Sequence, residues 1–96
     1  MRKQKAEQVG KLIQHFLREE GLETPYNEYR LIQAWPEVMG QGIANLTSSL
    51  QIRGGVLYIR LQSSVLRQEL MASRRQLAQR LNEFVGAQVI ENIIFS

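Results

Sequence analysis

The sequence predicts an α+β fold: a three-stranded sheet covered on one face by helices, with its elements in the order α-α-β-β-α-β. Three observations carry that expectation. Apolar residues recur at helical spacing in two stretches ahead of Ser48, they alternate with polar residues on either side of Gly54-Gly55, and a third helical stripe leads into a short branched run. Ninety-six residues with 44% apolar content support one core, so residues 1–96 are expected to form a single domain.

Residues 3–20 read as an amphipathic helix, with Ala6, Val9, Ile13, Phe16 and Leu17 at spacings of three and four and Leu12 beside them. Gly21 supplies the left-handed position that ends a helix, and Leu22 can fold back on the last turn. Thr24-Pro25 restarts the chain, since threonine caps a helix and proline suits its first position. The second helix carries Tyr29, Ile32, Trp35, Val38 and Met39 on one side, and Pro36 inside it should kink or split it near Gln33. Gly40, Gly42 and Leu46-Thr47 should fray its tail into a connection before Ser48.

Leu50, Ile52, Leu57, Ile59 and Leu61 alternate with polar residues about Gly54-Gly55, the pattern of a two-residue hairpin. Such a turn opposes Arg53 to Val56, Ile52 to Leu57, Gln51 to Tyr58 and Leu50 to Ile59. Its aliphatic set then shares one face, while Gln51, Arg53, Val56, Tyr58 and Arg60 share the other. Ser63-Ser64 offers a cap for a third helix over residues 65–85, striped by Leu66, Leu70, Leu77, Leu81 and Phe84 with Ser73 filling a gap, and Gly86 ends it. Residues 89–95 are short and branched, and read as a strand. If that strand runs parallel to the one before the third helix, the crossover is right-handed.

Catalytic chemistry is poorly supplied. The chain has no cysteine and no aspartate, and its one histidine, His15, sits a helical turn from both Lys11 and Glu19 as a solvated helical residue does. No ligand spacing supports a metal site, no serine has a base at motif spacing, and neither Gly40-Gln41-Gly42 nor Gly54-Gly55 extends into a phosphate loop. A non-enzymatic protein is expected, with no catalytic residue, metal, cofactor or small-molecule substrate. No apolar run reaches membrane-spanning or signal-peptide length, which points to a soluble, cytoplasmic protein without a membrane partner.

Binding is better supplied, because the charge is unevenly placed. Up to Thr47 six cations balance six glutamates. Beyond it Arg53, Arg60, Arg67, Arg74, Arg75 and Arg80 face only Glu69, Glu83 and Glu91, so the formal net charge of +3 is an arginine excess in the second half. Guanidinium forks suit phosphate geometry. On one continuous helix Arg67 and Arg74, seven residues apart, border the apolar stripe about 20° from eclipsed, with Arg75 about 100° further round. Together with Arg53, Tyr58 and Arg60 on the outer hairpin face they make a candidate nucleic-acid surface of phosphate contacts and one stacking ring. The alternative is that these arginines only solvate the surface and that Tyr58 pairs across the strand with Gln51. Trp35, three residues from both Ile32 and Val38, is most simply a core anchor.

The ordered set Leu31-Ile32-Gln33-Ala34-Trp35-Pro36-Glu37-Val38-Met39-Gly40, Ile43-Ala44-Asn45-Leu46-Thr47, Gly55-Val56-Leu57-Tyr58-Ile59, Ser63-Ser64 with Glu69-Leu70, and Asn82 through Gly86 into Ile93-Ile94-Phe95 resembles the DciA family, from about Gln8 onward. The resemblance implies a KH-like α+β domain that helps load the bacterial replicative helicase DnaB onto DNA, binding helicase and single- or double-stranded DNA without hydrolysing ATP. Longer members carry an additional flexible segment implicated in helicase contact, whereas this sequence closes at Phe95-Ser96. The Gly-x-x-Gly loop with which true KH domains clamp single strands is missing, so nucleic-acid contact has to use other residues. The other readings are a protein-interaction module docking a partner through the open edge of the hairpin or the Trp35 region, and an RNA-binding KH-like domain without a DNA function.

Overall fold

The structure, a computed structural model, describes residues 2–96, with side chains from Lys5 onward. Met1, which opens the basic amino-terminal stretch, lies outside the described residues, as do the side chains of Arg2, Lys3 and Gln4. The elements are α1 (Arg2–Glu19), α2 (Glu23–Met39), α3 (Gln41–Asn45), β1 (Thr47–Arg53), β2 (Val56–Leu61), α4 (Ser64–Ala72), α5 (Arg74–Val85) and β3 (Asn92–Phe95). This is the expected α+β order, with a short extra helix after α2 and the third helix divided in two.

The hairpin takes the register the alternation dictates, with Arg53 opposite Val56, Ile52 opposite Leu57, Gln51 opposite Tyr58 and Leu50 opposite Ile59. Gly54 and Gly55 have φ of 57° and 76°, the double positive φ that a two-residue turn needs to match the strand twist. A bulge at Ser48 shifts the pairing between Thr47 and Ser49, and the Ser48 hydroxyl donates to the Arg60 carbonyl at 3.3 Å. β3 pairs with β2 in parallel, so β2 is the central strand of a mixed sheet.

One face of the sheet meets α2 and α5. The core joins Leu31, Ala34 and Trp35 of α2, Leu57, Ile59 and Leu61 of β2, Leu77, Ala78, Leu81 and Val85 of α5, and Ile90 and Ile93. The buried Trp35 indole N–H donates to Thr47 Oγ1 at 3.0 Å, and that hydroxyl donates to the Ile43 carbonyl at 2.9 Å. Trp35 is therefore a core anchor whose polar atom is satisfied through the bulged start of β1.

Several sequence expectations are corrected. α2 runs unbroken through Pro36 to Met39; the one helical bond that proline forfeits is offset by burial of Leu31, Ala34 and Trp35 just before it. It begins at Glu23, which places Pro25 in the first turn, where an N–H has no intrahelical partner to lose. Tyr29 and Phe84, expected in apolar stripes, are exposed. Val85, next to Phe84, points inward instead, and the inward face of α2 is made by Leu31, Ala34 and Trp35. Residues 89–91 precede the last strand as an irregular segment, held by Asn82. Its Oδ1 accepts from the Val89 and Ile90 N–H groups at 3.0 and 3.1 Å, and its Nδ2 donates to the Ile90 carbonyl at 2.8 Å.

The largest departure is α1. Its apolar residues Val9, Leu12, Ile13 and Phe16 remain 53%, 68%, 48% and 57% exposed, because the helix touches the rest of the molecule only near its carboxyl end. There the Leu22 N–H returns to the Leu17 carbonyl at 2.7 Å and Arg18 pairs with Glu23 at 3.1 Å. The radius of gyration is 15.3 Å, with extents of 48 × 29 × 21 Å. A compact chain of this length would have a radius of about 12.5 Å, so α1 stands out as an arm.

Candidate nucleic-acid interface

Period-two geometry decides what the uncovered face of the sheet carries. With Leu57, Ile59 and Leu61 turned into the core, Val56, Tyr58 and Arg60 point away from it, joined by Ser49, Gln51 and Arg53 from β1 and by Asn92 and Ile94 from β3. Tyr58 lies at the middle of this face, between Gln51 and Ile94 in the two flanking strands. The Arg53 guanidinium sits 5.1 Å from the Tyr58 ring centroid, inside cation–π range. Arg60 follows two residues along the same strand, opposite Ser49. Arg53, Tyr58 and Arg60 are thus brought together as a half-buried ring with a cation on either side.

The remaining three residues group differently. Ser73, with φ −109° and ψ 16°, closes α4 and opens α5, so Arg67 and Arg74 belong to different helices and their near-eclipsed relation on one long helix does not hold. Arg67 lies half-buried at the end of the first turn of α4, beside the corner that follows Arg60. Arg74 and Arg75 are the first two residues of α5 and are exposed. No side chain caps that turn and no acidic residue occupies it. Arg74 and Arg75 line a shallow concavity there together with Met71, Ala72, Ser73 and Gln76, at the helix end whose partial charge is positive.

None of these five arginines has a carboxylate within 4 Å among the described residues, where the ion pairs are His15 with Glu19 at 3.8 Å and Arg18 with Glu23 at 3.1 Å. Their charge is left to the solvent side. The arrangement offers phosphate oxygens unpaired donors and offers a base or other flat group one aromatic ring; it offers no nucleophile or base for bond-making.

Three parts of the surroundings escape a reading by composition and spacing. Ile94 borders Tyr58 only because β3 runs parallel to β2. Asn82 looks like a surface position of a helix until its partners on residues 89 and 90 are seen. Arg30, 5.9 Å from the Tyr26 ring centroid, makes a second cation–aromatic pair on α2; the four-residue spacing is the signal that could have found it. Among the described residues no helix is long and apolar enough to cross a membrane.

No curated protein matches the chain. The family model described as Dna[CI] antecedent, DciA, matches residues 8–95, a stretch that contains α2, the whole sheet, both arginine groups and the Asn82 staple, and on that match the chain belongs to the DciA family.

Proposed function

We propose that this chain is a single-domain, non-enzymatic nucleic-acid-binding adaptor that assists loading of the replicative helicase DnaB onto DNA. The uncovered sheet face at Arg53, Tyr58 and Arg60 is its main nucleic-acid surface, and Arg67, Arg74 and Arg75 supply further phosphate contacts. Family membership supports the loader role. The observation that carries the nucleic-acid reading is the exposed sheet face itself: Tyr58 is flanked by two arginines that pair with no carboxylate among the described residues. Ring stacking there holds a base without sequence preference, while guanidinium forks hold the phosphates.

The test is fluorescence anisotropy with labelled single- and double-stranded DNA over a range of salt. Binding should weaken with a log–log slope of roughly −3 to −4, as about four phosphate contacts require. Arg53→Glu/Arg60→Glu should abolish binding at low salt, and Arg67→Glu/Arg74→Glu should weaken it and flatten the slope. Equal titrations for wild type and both double variants would remove the nucleic-acid assignment. RNA oligomers in the same series separate a DNA-directed surface from an RNA-directed one.

A further inference from the structure

The arm α1 has a surface that complements itself when reversed. Ala6, Val9, Ile13 and Phe16 follow one another at spacings of three, four and three, the seam of a two-stranded coiled coil. Leu12 and Leu17 flank that seam. Nothing among the described residues covers it, since Val9, Leu12, Ile13 and Phe16 remain about half exposed or more. An 18-residue helix with Gly10 in its middle is marginal by itself in water, because most helix stability in proteins comes from packing an apolar face.

We propose that α1 pairs with α1 of a second copy of this chain, antiparallel, to form a reversible dimer. Two properties select that occupant and that direction. In the antiparallel register Ala6 faces Phe16 of the second copy and Val9 faces Ile13, so a small residue meets a large one and the two middle layers match. A parallel pair would stack Phe16 on Phe16 and leave a gap at Ala6. The same register sets Lys5 against Glu19 of the second copy, on the flank of the seam where antiparallel helices exchange ion pairs, and the two-fold axis makes that contact twice. Leu12 meets Leu12 at the centre of the same flank. α1 carries none of the residues assigned to the sheet face or to the α4–α5 junction. The inference therefore stands independently of the nucleic-acid reading.

The contact is modest. The exposed parts of these side chains amount to roughly 600 Å² per copy, below the about 800 Å² of a standard interface, so a weak, readily dissociating dimer is expected. Sedimentation equilibrium of the full chain at rising concentration should move from 11.1 kDa to twice that mass. Ile13→Asp/Phe16→Asp should remain monomeric at every concentration, with the blue-shifted emission of buried Trp35 certifying the fold. Lys5→Glu and Glu19→Lys should each weaken the dimer roughly fivefold to tenfold, and the double exchange should restore it. Because the chain has no cysteine, orientation can be read by crosslinking. Lys5→Cys mixed with Glu19→Cys should give a disulfide-linked pair, and Leu12→Cys should link to itself. A mass fixed at 11.1 kDa up to about 1 mM, a concentration at which even a millimolar dimer is well populated, a dimer that survives Ile13→Asp/Phe16→Asp, or Lys5→Cys linking to itself faster than to Glu19→Cys would each overturn the proposal. So would α1 resonances that respond only to added helicase or nucleic acid.

Discussion

Asn82 does more for the architecture than its residue type suggests. Its one amide satisfies two N–H groups and one carbonyl in the irregular stretch before β3, at 9% exposure. Replacing it with alanine leaves the Val89 and Ile90 N–H groups without their acceptor, while the Ile90 carbonyl keeps the bond from Gln88 Nε2 at 3.1 Å, and should cost about 2–3 kcal/mol in urea unfolding, with β3 amides losing exchange protection first. Thr47→Val tests a smaller unit, because it removes the acceptor of the Trp35 indole N–H while keeping the volume. A loss of about 1–2 kcal/mol is expected. At the site, Tyr58→Leu should keep the fold and reduce single-strand affinity by about 1–3 kcal/mol at fixed salt, with the salt slope unchanged, since stacking is lost and phosphate contacts are not. The role of Asn82 was hidden because an amide on a helix reads as surface, whereas Arg53 and Tyr58 could be assigned to the outer face from alternation alone.

At the level of elements, the hairpin was legible because period two and a Gly-Gly turn leave one register that turns Leu50, Ile52, Leu57, Ile59 and Leu61 to the same face. The glycine at Gly54 is not required by space, as an added Cβ would meet nothing within 4 Å; only its φ of 57° matters. Asparagine tolerates that conformation and narrows the unfolded ensemble, so Gly54→Asn should stabilise by about 0.5–1 kcal/mol, and Gly54→Val should destabilise by about 1 kcal/mol or more, both read from denaturant midpoints. The division at Ser73 could not be read in the same way. Leu70 and Leu77 are seven residues apart and fall on one side whether the helix runs straight or is broken between them. Phe84 and Val85 pose a similar ambiguity, since both continue a stripe through Leu77 and Leu81, and the packing against α2 admits Val85. The consequence for the site is direct: the helix arginines became two groups because the break separates Arg67 from Arg74.

For the whole molecule, amphipathic spacing in α1 announced an apolar face but carried no information about what lies against it. The core closes without that face. Deleting residues 1–20 should accordingly change the stability of the remainder by less than about 1 kcal/mol and leave DNA affinity within about twofold, by thermal melting and anisotropy, while abolishing self-association. The parallel pairing of β3 with β2 has a temporal corollary. Leu57 acquires its neighbour Ile93 only after some three dozen further residues have been polymerised, so at roughly 5–20 residues per second the nascent hairpin waits about 2–7 s with one margin unguarded. During that interval the unpaired edge is open to mispairing, and slow codons between α4 and β3 would lengthen its exposure.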